Sequence, residues 1–210
     1  FKLIAKKYSN KIALIDIDDT KFTYKKLDYL SDNIANFLNY KLPKEKIVAI
    51  DSTKNFKTIL GFLGALKSKK TYFFLDLNQP KKRILKILKK TKTKNLITEN
   101  KVKFSNINSL SISKILSKKN KINLSNNASS TKHPAYIMFT SGSTGEPKGA
   151  IISHENALNF VKWSKKNFMI KSKDIFSQVN PLYFDNSVFD LYNSFLNGAT
   201  LVLTNGLDIN

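Results

Sequence analysis

The chain lacks cysteine altogether and has no long apolar run among its 210 residues. Without cysteine it can form neither a disulfide framework nor a thiolate metal site. No stretch approaches the roughly 18 consecutive apolar residues that a membrane-spanning helix needs. We therefore expect a cytoplasmic protein with no membrane insertion.

Acidic residues and arginine are also scarce. Lysine and arginine together number 36 against 15 aspartate and glutamate residues, which gives a formal net charge of +21. Such a charge attracts nucleic acids. Arg83 is, however, the only arginine, and arginine is the residue that best contacts phosphates and guanine edges through two hydrogen bonds. Because the lysines are spread through every segment, we predict a solvated, lysine-rich surface and no specific nucleic-acid partner.

Short apolar segments alternate with amphipathic ones along the first hundred residues. "KIVAIDS" (46–52) predicts a buried strand, and residues 55–70 predict a helix with Phe62 and Leu66 on one face. "TYFFLDL" (71–77) predicts the next strand. Strands that alternate with helices favour a parallel sheet. We therefore predict an α/β fold with helix-covered, largely parallel sheets.

A polar segment separates the two halves of the sequence. Residues 117–134 are rich in Asn, Ser and Lys, which predicts a surface connection. Beyond it, Ser153 is placed to cap a helix over residues 154–168, whose Leu158 and Val161 are expected to face inward.

The segment "FTSGSTGEPKG" (139–149) crowds hydroxyls, glycines and one lysine into a short loop. Glycines let the backbone approach a ligand closely, and exposed N–H groups and hydroxyls suit an oxygen-rich anion, to which Lys148 adds a positive charge. It is not a Walker A loop, because Pro147 and Gly149 stand where that motif needs glycine and Ser or Thr. The pattern indicates a polyphosphate site, and the alternative is a Ser/Gly-rich surface hairpin.

"AYIMFTSGSTGEPKGAIISHENAL", which begins at Ala135, resembles the signature loop of the adenylate-forming enzymes. This superfamily includes acyl-CoA synthetases, luciferases and nonribosomal peptide synthetase adenylation domains. The resemblance implies that seven residues line the ATP phosphates, with Thr144 and Lys148 in catalysis. The seven are Thr140, Ser141, Gly142, Ser143, Thr144, Gly145 and Lys148.

Other segments agree with this resemblance along nearly the whole chain. "ALKSKKTYFFLDLNQPKKRI" is similar to the next motif of amino-acid-activating members, although Ser68, Lys69 and Lys70 replace an Ala-Gly-Gly run. These three larger or more polar residues make the tight packing that the motif has in the family less certain to occur in this segment. The resemblance implies that residues 1–210 form part of the N-terminal AMP-binding domain without the small C-terminal domain, and we expect this chain alone to be inactive.

"YFDNSVFDLY" resembles the segment that separates the branches of the superfamily. In amino-acid adenylation domains and D-alanine–carrier protein ligases, an aspartate here pairs with the substrate's α-ammonium, and Asp185 stands in that position. A buried ammonium needs an anion, whereas the alternative role for Asp185 is a helix cap. By the same resemblance Phe184, Asn186 and Phe189 contact the substrate, while Asp190 is expected to have no role.

The resemblance implies a complete reaction. An amino acid carboxylate is activated by ATP, with Mg²⁺, to an aminoacyl-adenylate with release of pyrophosphate, and the acyl group later passes to the phosphopantetheine thiol of a carrier protein. The enzyme class is that of carboxylic acid–thiol ligases. Two alternatives stay open, namely an acyl- or aryl-CoA synthetase and a non-catalytic nucleotide-binding remnant.

Three further residues attract attention because their types are rare in this chain. His133 and His154 are not spaced as metal ligands, and we predict no metal-binding residues. His154 is expected to be a structural residue at the start of its helix. Trp163, the one tryptophan, is expected to lie in the core.

Overall fold

The fold is described from a computed structural model, which covers residues 1–102, 104–117, 130–141 and 146–205. The helices are α1 (Lys2–Lys7), α2 (Tyr24–Lys41), α3 (Phe56–Lys67), α4 (Lys81–Thr91), α5 (Ile112–Leu116), α6 (His154–Asn167) and α7 (Asn186–Asn197). The strands are β1 (Ile12–Ile15), β2 (Lys21–Thr23), β3 (Ile47–Asp51), β4 (Thr71–Leu75), β5 (Asn95–Ile97), β6 (Asn108–Leu110), β7 (Pro134–Ser141), β8 (Pro147–Ser153), β9 (Ile175–Gln178) and β10 (Thr200–Leu203).

The strands form two sheets that are mostly parallel. The larger sheet has the order β6-β5-β3-β4-β7-β8, in which the β7–β8 pair is antiparallel. The smaller sheet has the order β2-β1-β10-β9, in which the β1–β2 pair is antiparallel. The predicted α/β architecture with largely parallel sheets is confirmed.

Helices cover both faces of the larger sheet. Along β4, Tyr72 and Phe74 belong to the apolar cluster that includes α2 and α3, whereas Phe73 and Leu75 pack with α4 on the other face. Successive strand residues point to opposite faces, so this fully buried strand needs cover on both sides. The run "TYFFL" is therefore explained by a buried strand between two helix layers.

Polar caps fix where the longer helices begin. The side chain of Thr23 accepts a hydrogen bond from the Lys26 N–H, as its position in the sequence suggested. Ser153 caps α6 and forms a capping box with Asn156. Both caps place the start of a helix directly after a strand.

Some sequence expectations are corrected by the structure. On α6, Val161 is buried as predicted, but Leu158 is 37% exposed because the buried face of this helix is narrow. The short elements α1, β6 and α5 were not anticipated, since three to six residues are too few to show a period. Of the predicted connection 117–134, residues 118–129 lie outside the described residues, and Pro134 already begins β7.

No helix in the described part of the chain combines the length and apolarity needed to cross a membrane.

Candidate functional site

The hydroxyl-rich motif lies on the hairpin of β7 and β8. Thr140 pairs with Lys148 across the two strands, and both residues are exposed. This arrangement places a hydroxyl and an ammonium group where the strands enter the loop. Residues 142–145, with the predicted Gly142, Ser143, Thr144 and Gly145, lie outside the described residues, and Ser141 is the last residue of β7. Their phosphate contacts stay predictions.

The last glycine of the motif is explained by packing within the hairpin. A Cβ added at Gly149 would lie 3.0 Å from both Ile137 Cγ2 and Phe139 Cε1. Such distances are closer than ordinary van der Waals contact, so a larger residue would push these side chains away. The absence of a side chain at Gly149 therefore lets the side chains of β7 pack closely against β8, which is a structural role.

Two lysines of helix α4 contact the start of the second strand of the hairpin. Lys86 Nζ lies 2.5 Å from Glu146 Oε1, and Lys90 Nζ donates to the Pro147 carbonyl at 3.1 Å. The hydrogen bond from Lys86 lowers the pKa of the Glu146 carboxyl. Because Glu146 is exposed, water screens this pair and it contributes little to stability. Its effect is to fix where β8 begins beside the loop.

Asp185 is the N-cap of α7. One carboxylate oxygen accepts a hydrogen bond from the Asn186 N–H at 2.9 Å, which confirms the helix-cap interpretation. The side chain is exposed, and Asp185 lines two cavities. An N-cap position leaves the carboxylate open on its outer side, so capping and ligand binding are compatible here.

The first cavity, which we call the α7 cavity, has a volume of about 630 Å³. Asn186 and Phe189 line it together with Asp185, so three of the four predicted substrate residues meet there. Its other lining residues are Tyr136, Phe160, Trp163, Phe168, Asn180, Val188 and Asp190.

Aromatic rings form one wall of the α7 cavity. The rings of Phe160, Trp163, Phe168 and Phe189 contact one another with centroid separations of 5.5 to 6.2 Å. The prediction that Trp163 lies in the core is wrong, because its side chain is 53% exposed at this wall. Trp163 lies on the side of α6 that faces the cavity and not on the side that packs against the sheet.

The second cavity, which we call the β4 cavity, has a volume of about 460 Å³ and lies at the carboxyl ends of β4 and β7. Phe184, the fourth predicted substrate residue, lines this cavity and not the α7 cavity. Thr140 and Arg83 line it as well. Asp185 therefore stands between the α7 cavity and a space that reaches the hairpin, at the edge of a parallel sheet where ligands commonly bind.

Burial perturbs two acidic groups of the α7 cavity. Burial raises the pKa of Asp190 to about 6, an effect that the positive charge of Lys54 partly opposes. Burial, followed by the charge of Asp185, raises the pKa of Tyr136 to about 12. Charged and polar groups are thus partly desolvated in this cavity, which strengthens their interactions with a ligand.

Histidines and carboxylates do not assemble a metal centre in the described ranges. Among the residues that the structure covers, no three His, Asp or Glu side chains are grouped so as to hold a metal ion. His154 is the first residue of α6, and burial followed by the charge of His133 lowers its pKa. These residues do not fit a resident Mg²⁺ site, and the expectation of Mg²⁺ rests on its binding together with ATP.

Sequence reasoning assigned no ligand-binding role to the other residues that line the α7 cavity, among them Tyr136, Phe160 and Asp190. Tyr136 precedes Thr140 by four residues on β7, and the period of two places both on one face of the strand. This spacing was the available signal. Phe160 and Asp190 lie within helices where they look like ordinary buried or exposed positions, so nothing in the sequence distinguished them.

Comparison with known proteins places the chain among enzymes of one kind. A family model described as "AMP-binding enzyme" matches residues 1–208. The chain is 30% identical to a D-alanine--D-alanyl carrier protein ligase of Bacillus cytotoxicus over 190 residues, which are 87% of this chain and 38% of that protein. It is 35% identical to Bacitracin synthase 1 of Bacillus licheniformis over 190 residues, which are 87% of this chain and 4% of that protein.

Solved structures give the same result for the fold. The Klebsiella oxytoca NpsA N-terminal subdomain, in complex with 3-hydroxybenzoyl-AMSN, superposes with a TM-score of 0.86 at 25% identity, over 97% of this chain and 52% of that chain. The nonribosomal peptide synthetase FmoA3 superposes with a TM-score of 0.88 at 20% identity, over 99% of this chain and 22% of that chain, and so supports the fold alone. The chain spans 38% of the length of the D-alanine ligase that it matches.

Proposed function

Because the chain belongs to the AMP-binding enzyme family, we propose that it supplies the phosphate loop and the amine-binding wall for ATP-dependent activation of an amino acid. A carboxylate oxygen of the amino acid attacks the α-phosphorus of ATP. The new O–P bond forms as the bond to the β-phosphate breaks, and pyrophosphate leaves. The products are an aminoacyl-adenylate and pyrophosphate.

One observation carries the amino acid part of the proposal. Asp185 borders both the α7 cavity and the β4 cavity, and the β4 cavity also reaches Thr140 on the hairpin. A carboxylate in such a position can balance an α-ammonium while the carboxyl group of the same molecule points toward the phosphates. Asn186 and Phe189 then contact the side chain of the amino acid, and Phe184 borders the route to the hairpin.

Two observations support the proposed binding of the ATP phosphates, namely the geometry of the hairpin and the membership of the chain in the AMP-binding enzyme family. Thr140 and Lys148 flank the loop as an opposed pair, and a hydroxyl with an ammonium suits the phosphate chain. Thr144 and Lys148 act on the charge that develops as pyrophosphate departs, with the remaining loop residues 141–145 supporting the phosphates. Mg²⁺, when bound with ATP, neutralises phosphate charge.

Transfer of the acyl group to a phosphopantetheine carrier protein is the proposed second half of the reaction. The name of one relative, a D-alanine--D-alanyl carrier protein ligase, supports this partner. A similar solved structure, NpsA-ThdA, is an artificially fused adenylation–PCP di-domain. Because this chain spans 38% of the ligase, we propose the transfer for the family fold as a whole and assign no residue to it.

Calorimetric titration of the 210-residue protein with amino acids tests the proposal. The probes are the proteinogenic amino acids and D-alanine, followed by the des-amino acid of whichever amino acid binds most tightly. We expect Asp185→Asn to raise the dissociation constant of that amino acid at least about 10-fold, since a charge-assisted contact is lost. ATP affinity is expected to stay within about 2-fold, because Asp185 lies outside the loop.

Asp18→Asn is the matched control, since Asp18 is an exposed aspartate that also accepts a local backbone hydrogen bond, from the Thr20 N–H at 3.0 Å, and lines neither cavity. Equal affinity for amino acid and des-amino acid, unaffected by Asp185→Asn, would contradict amino acid activation and favour an acyl- or aryl-CoA synthetase. Binding of ATP with no carboxylic acid at all would favour a nucleotide-binding remnant.

A further inference from the structure

Tyr136 is a buried tyrosine at the wall of the α7 cavity. Its side chain is only 8% exposed, and the residue lines the cavity together with Asp185. The ring is held in place by two other buried tyrosines, with centroid separations of 5.8 Å to Tyr72 and 5.9 Å to Tyr192. The fold therefore fixes the position of this phenol with little freedom to move.

The hydroxyl of Tyr136 has no hydrogen-bond partner within the described ranges, in contrast to its two neighbours. The Tyr72 hydroxyl donates to the Tyr192 hydroxyl at 3.4 Å, and neither residue lines the α7 cavity. The Tyr136 oxygen is not one of the buried polar atoms that lack a partner in the described ranges, so it is open to the water of the cavity although its ring is buried. An unpaired hydroxyl at the cavity wall is therefore open to a ligand.

The environment of Tyr136 suits contact with a cation. Burial and the nearby charge of Asp185 both raise its pKa, so the phenol stays protonated and neutral at physiological pH. Its oxygen lone pairs remain available as hydrogen-bond acceptors. Asp185 supplies negative charge in the same cavity, and a small ammonium group has several N–H donors to share between the two.

We propose that the Tyr136 hydroxyl is a second recognition group for the α-ammonium of the amino acid, which donates one hydrogen bond to Tyr136 and another to Asp185. This inference rests on the proposed function, because it requires an amino acid in the α7 cavity. No covalent step is involved.

The geometry of β7 connects this contact to the phosphate end of the site. Tyr136, Met138 and Thr140 alternate along the strand and share one face, with Tyr136 at the α7 cavity and the other two at the β4 cavity. At about 3.3 Å per residue, Tyr136 and Thr140 are roughly 13 Å apart along the strand. A single rigid strand thus sets the position of the ammonium relative to the phosphates.

Tyr136→Phe tests the proposal, with Tyr192→Phe as the matched control. The dissociation constants of the tightest-binding amino acid and of its des-amino acid are measured by calorimetry for both variants and for the wild type. We expect Tyr136→Phe to weaken the amino acid about 10-fold, the loss of one hydrogen bond to a charged group, and to leave the des-amino acid unchanged. Tyr192→Phe should weaken neither ligand.

The two proposals fail in different ways. The inference about Tyr136 is overturned, while the proposed function stands, if Asp185→Asn weakens binding of the amino acid and Tyr136→Phe does not. The same holds if Tyr136→Phe weakens binding of both ligands equally. If neither variant affects amino acid binding, the proposed function falls and the inference falls with it.

A second measurement applies if Tyr136→Phe does not fold. Tyr136 is then replaced by 3-fluorotyrosine, and its fluorine resonance is followed at saturating concentrations of each ligand. A shift with the amino acid that the des-amino acid does not produce supports the hydrogen bond. Identical shifts with both ligands, or no shift with either, overturn it.

Discussion

The two ends of the candidate site are built in different ways. The phosphate end consists of exposed groups on one hairpin, with Thr140 opposite Lys148. The amine end is assembled from β7, α6 and α7, where Asp185 shares a cavity with aromatic rings and with groups whose pKa values are raised by burial. One end is a local feature of the sequence, and the other is a product of tertiary packing.

This difference matches the ligands that the two ends are proposed to bind. A polyphosphate carries several charges, so several contacts to exposed donors can add up although water screens each one. A single ammonium exchanges one set of contacts with water for another, and the aromatic wall beside the exposed Asp185 carboxylate favours the pair once an amino acid fills the cavity. Changes at the hairpin should therefore affect ligand binding alone, whereas changes near the α7 cavity should also affect folding.

Lys148→Met tests the exposed end and has the largest expected effect. We expect ATP affinity to fall about 10-fold or more, because one cationic contact to the phosphates is lost. The free energy of unfolding should stay within about 0.5 kcal/mol of the wild type, as for other exposed substitutions. Nucleotide titration and urea unfolding measure the two quantities. Lys132→Met, an exposed lysine at the opposite end of the hairpin, is the control.

Lys54→Met tests the amine end by removing a side chain that holds the ends of β9 and β10 together. Lys54 Nζ donates to the carbonyls of Gln178 at 2.9 Å, Val179 at 2.6 Å and Thr204 at 3.2 Å, where β9 and β10 end. Its loss leaves these carbonyls without their shared donor, and we expect the free energy of unfolding to fall by about 1–3 kcal/mol.

Urea unfolding of Lys54→Met is compared with that of Lys57→Met and Lys54→Arg. Lys57 forms only a half-exposed pair with Glu99 at 3.5 Å, so its removal should cost less than about 0.5 kcal/mol. Lys54→Arg should restore part of the lost stability. Equal effects of Lys54→Met and Lys57→Met would show that Lys54 does not support this end of the site.

Asp190→Asn tests the desolvation of the α7 cavity. The folded-state pKa of Asp190 is raised from 3.8 to about 6, so the folded protein binds more protons than the unfolded chain between these pH values. Stability from this group is therefore present below pH 4 and is lost as pH rises toward 6. We expect Asp190→Asn to be up to about 2 kcal/mol more stable than the wild type at pH 7.

Urea unfolding between pH 4 and pH 7 checks this expectation. The difference between Asp190→Asn and the wild type should shrink toward zero as the pH falls to 4. A difference that is constant across this range would mean that Asp190 is well solvated and that the α7 cavity does not desolvate its groups.

Lys69→Gly tests a position far from both ends, with the smallest expected effect. Lys69 follows α3 with a φ of 60°, a left-handed conformation that glycine adopts more readily than other residues. It stands where the family resemblance has glycine. We expect a gain of about 0.5–1 kcal/mol in the free energy of unfolding and no change in affinity for either ligand. Lys69→Ala keeps the strain and should give no gain.

The hairpin motif and the α/β alternation were predictable because both are local. Residues 139–149 carry their chemistry in consecutive positions, and the caps at Thr23 and Ser153 directly precede apolar periodic segments. The helix cap at Asp185 was also recognisable from its place before "NSVFDLY". Such features depend only on residues that are neighbours in the sequence.

The walls of the α7 cavity were not predictable in the same way. Trp163 was expected to be buried, as most large aromatic residues are, and only the packing of α6 beside α7 leaves it at a cavity. The parallel pairing of β1 with β10 joins residues that are far apart in the chain, such as Leu14 and Leu201. Periodicity reports which side of an element is apolar, but not which element covers it.

A crystal structure of the protein with a non-hydrolysable aminoacyl-adenylate analogue, an aminoacyl sulfamoyl-adenosine, tests the central claim most directly. We predict that the α-ammonium lies between Asp185 and Tyr136 in the α7 cavity, with the sulfamoyl group toward Thr140 and the hairpin. An analogue whose amino group lies in solvent, or whose acyl part occupies a site away from Asp185, would contradict it.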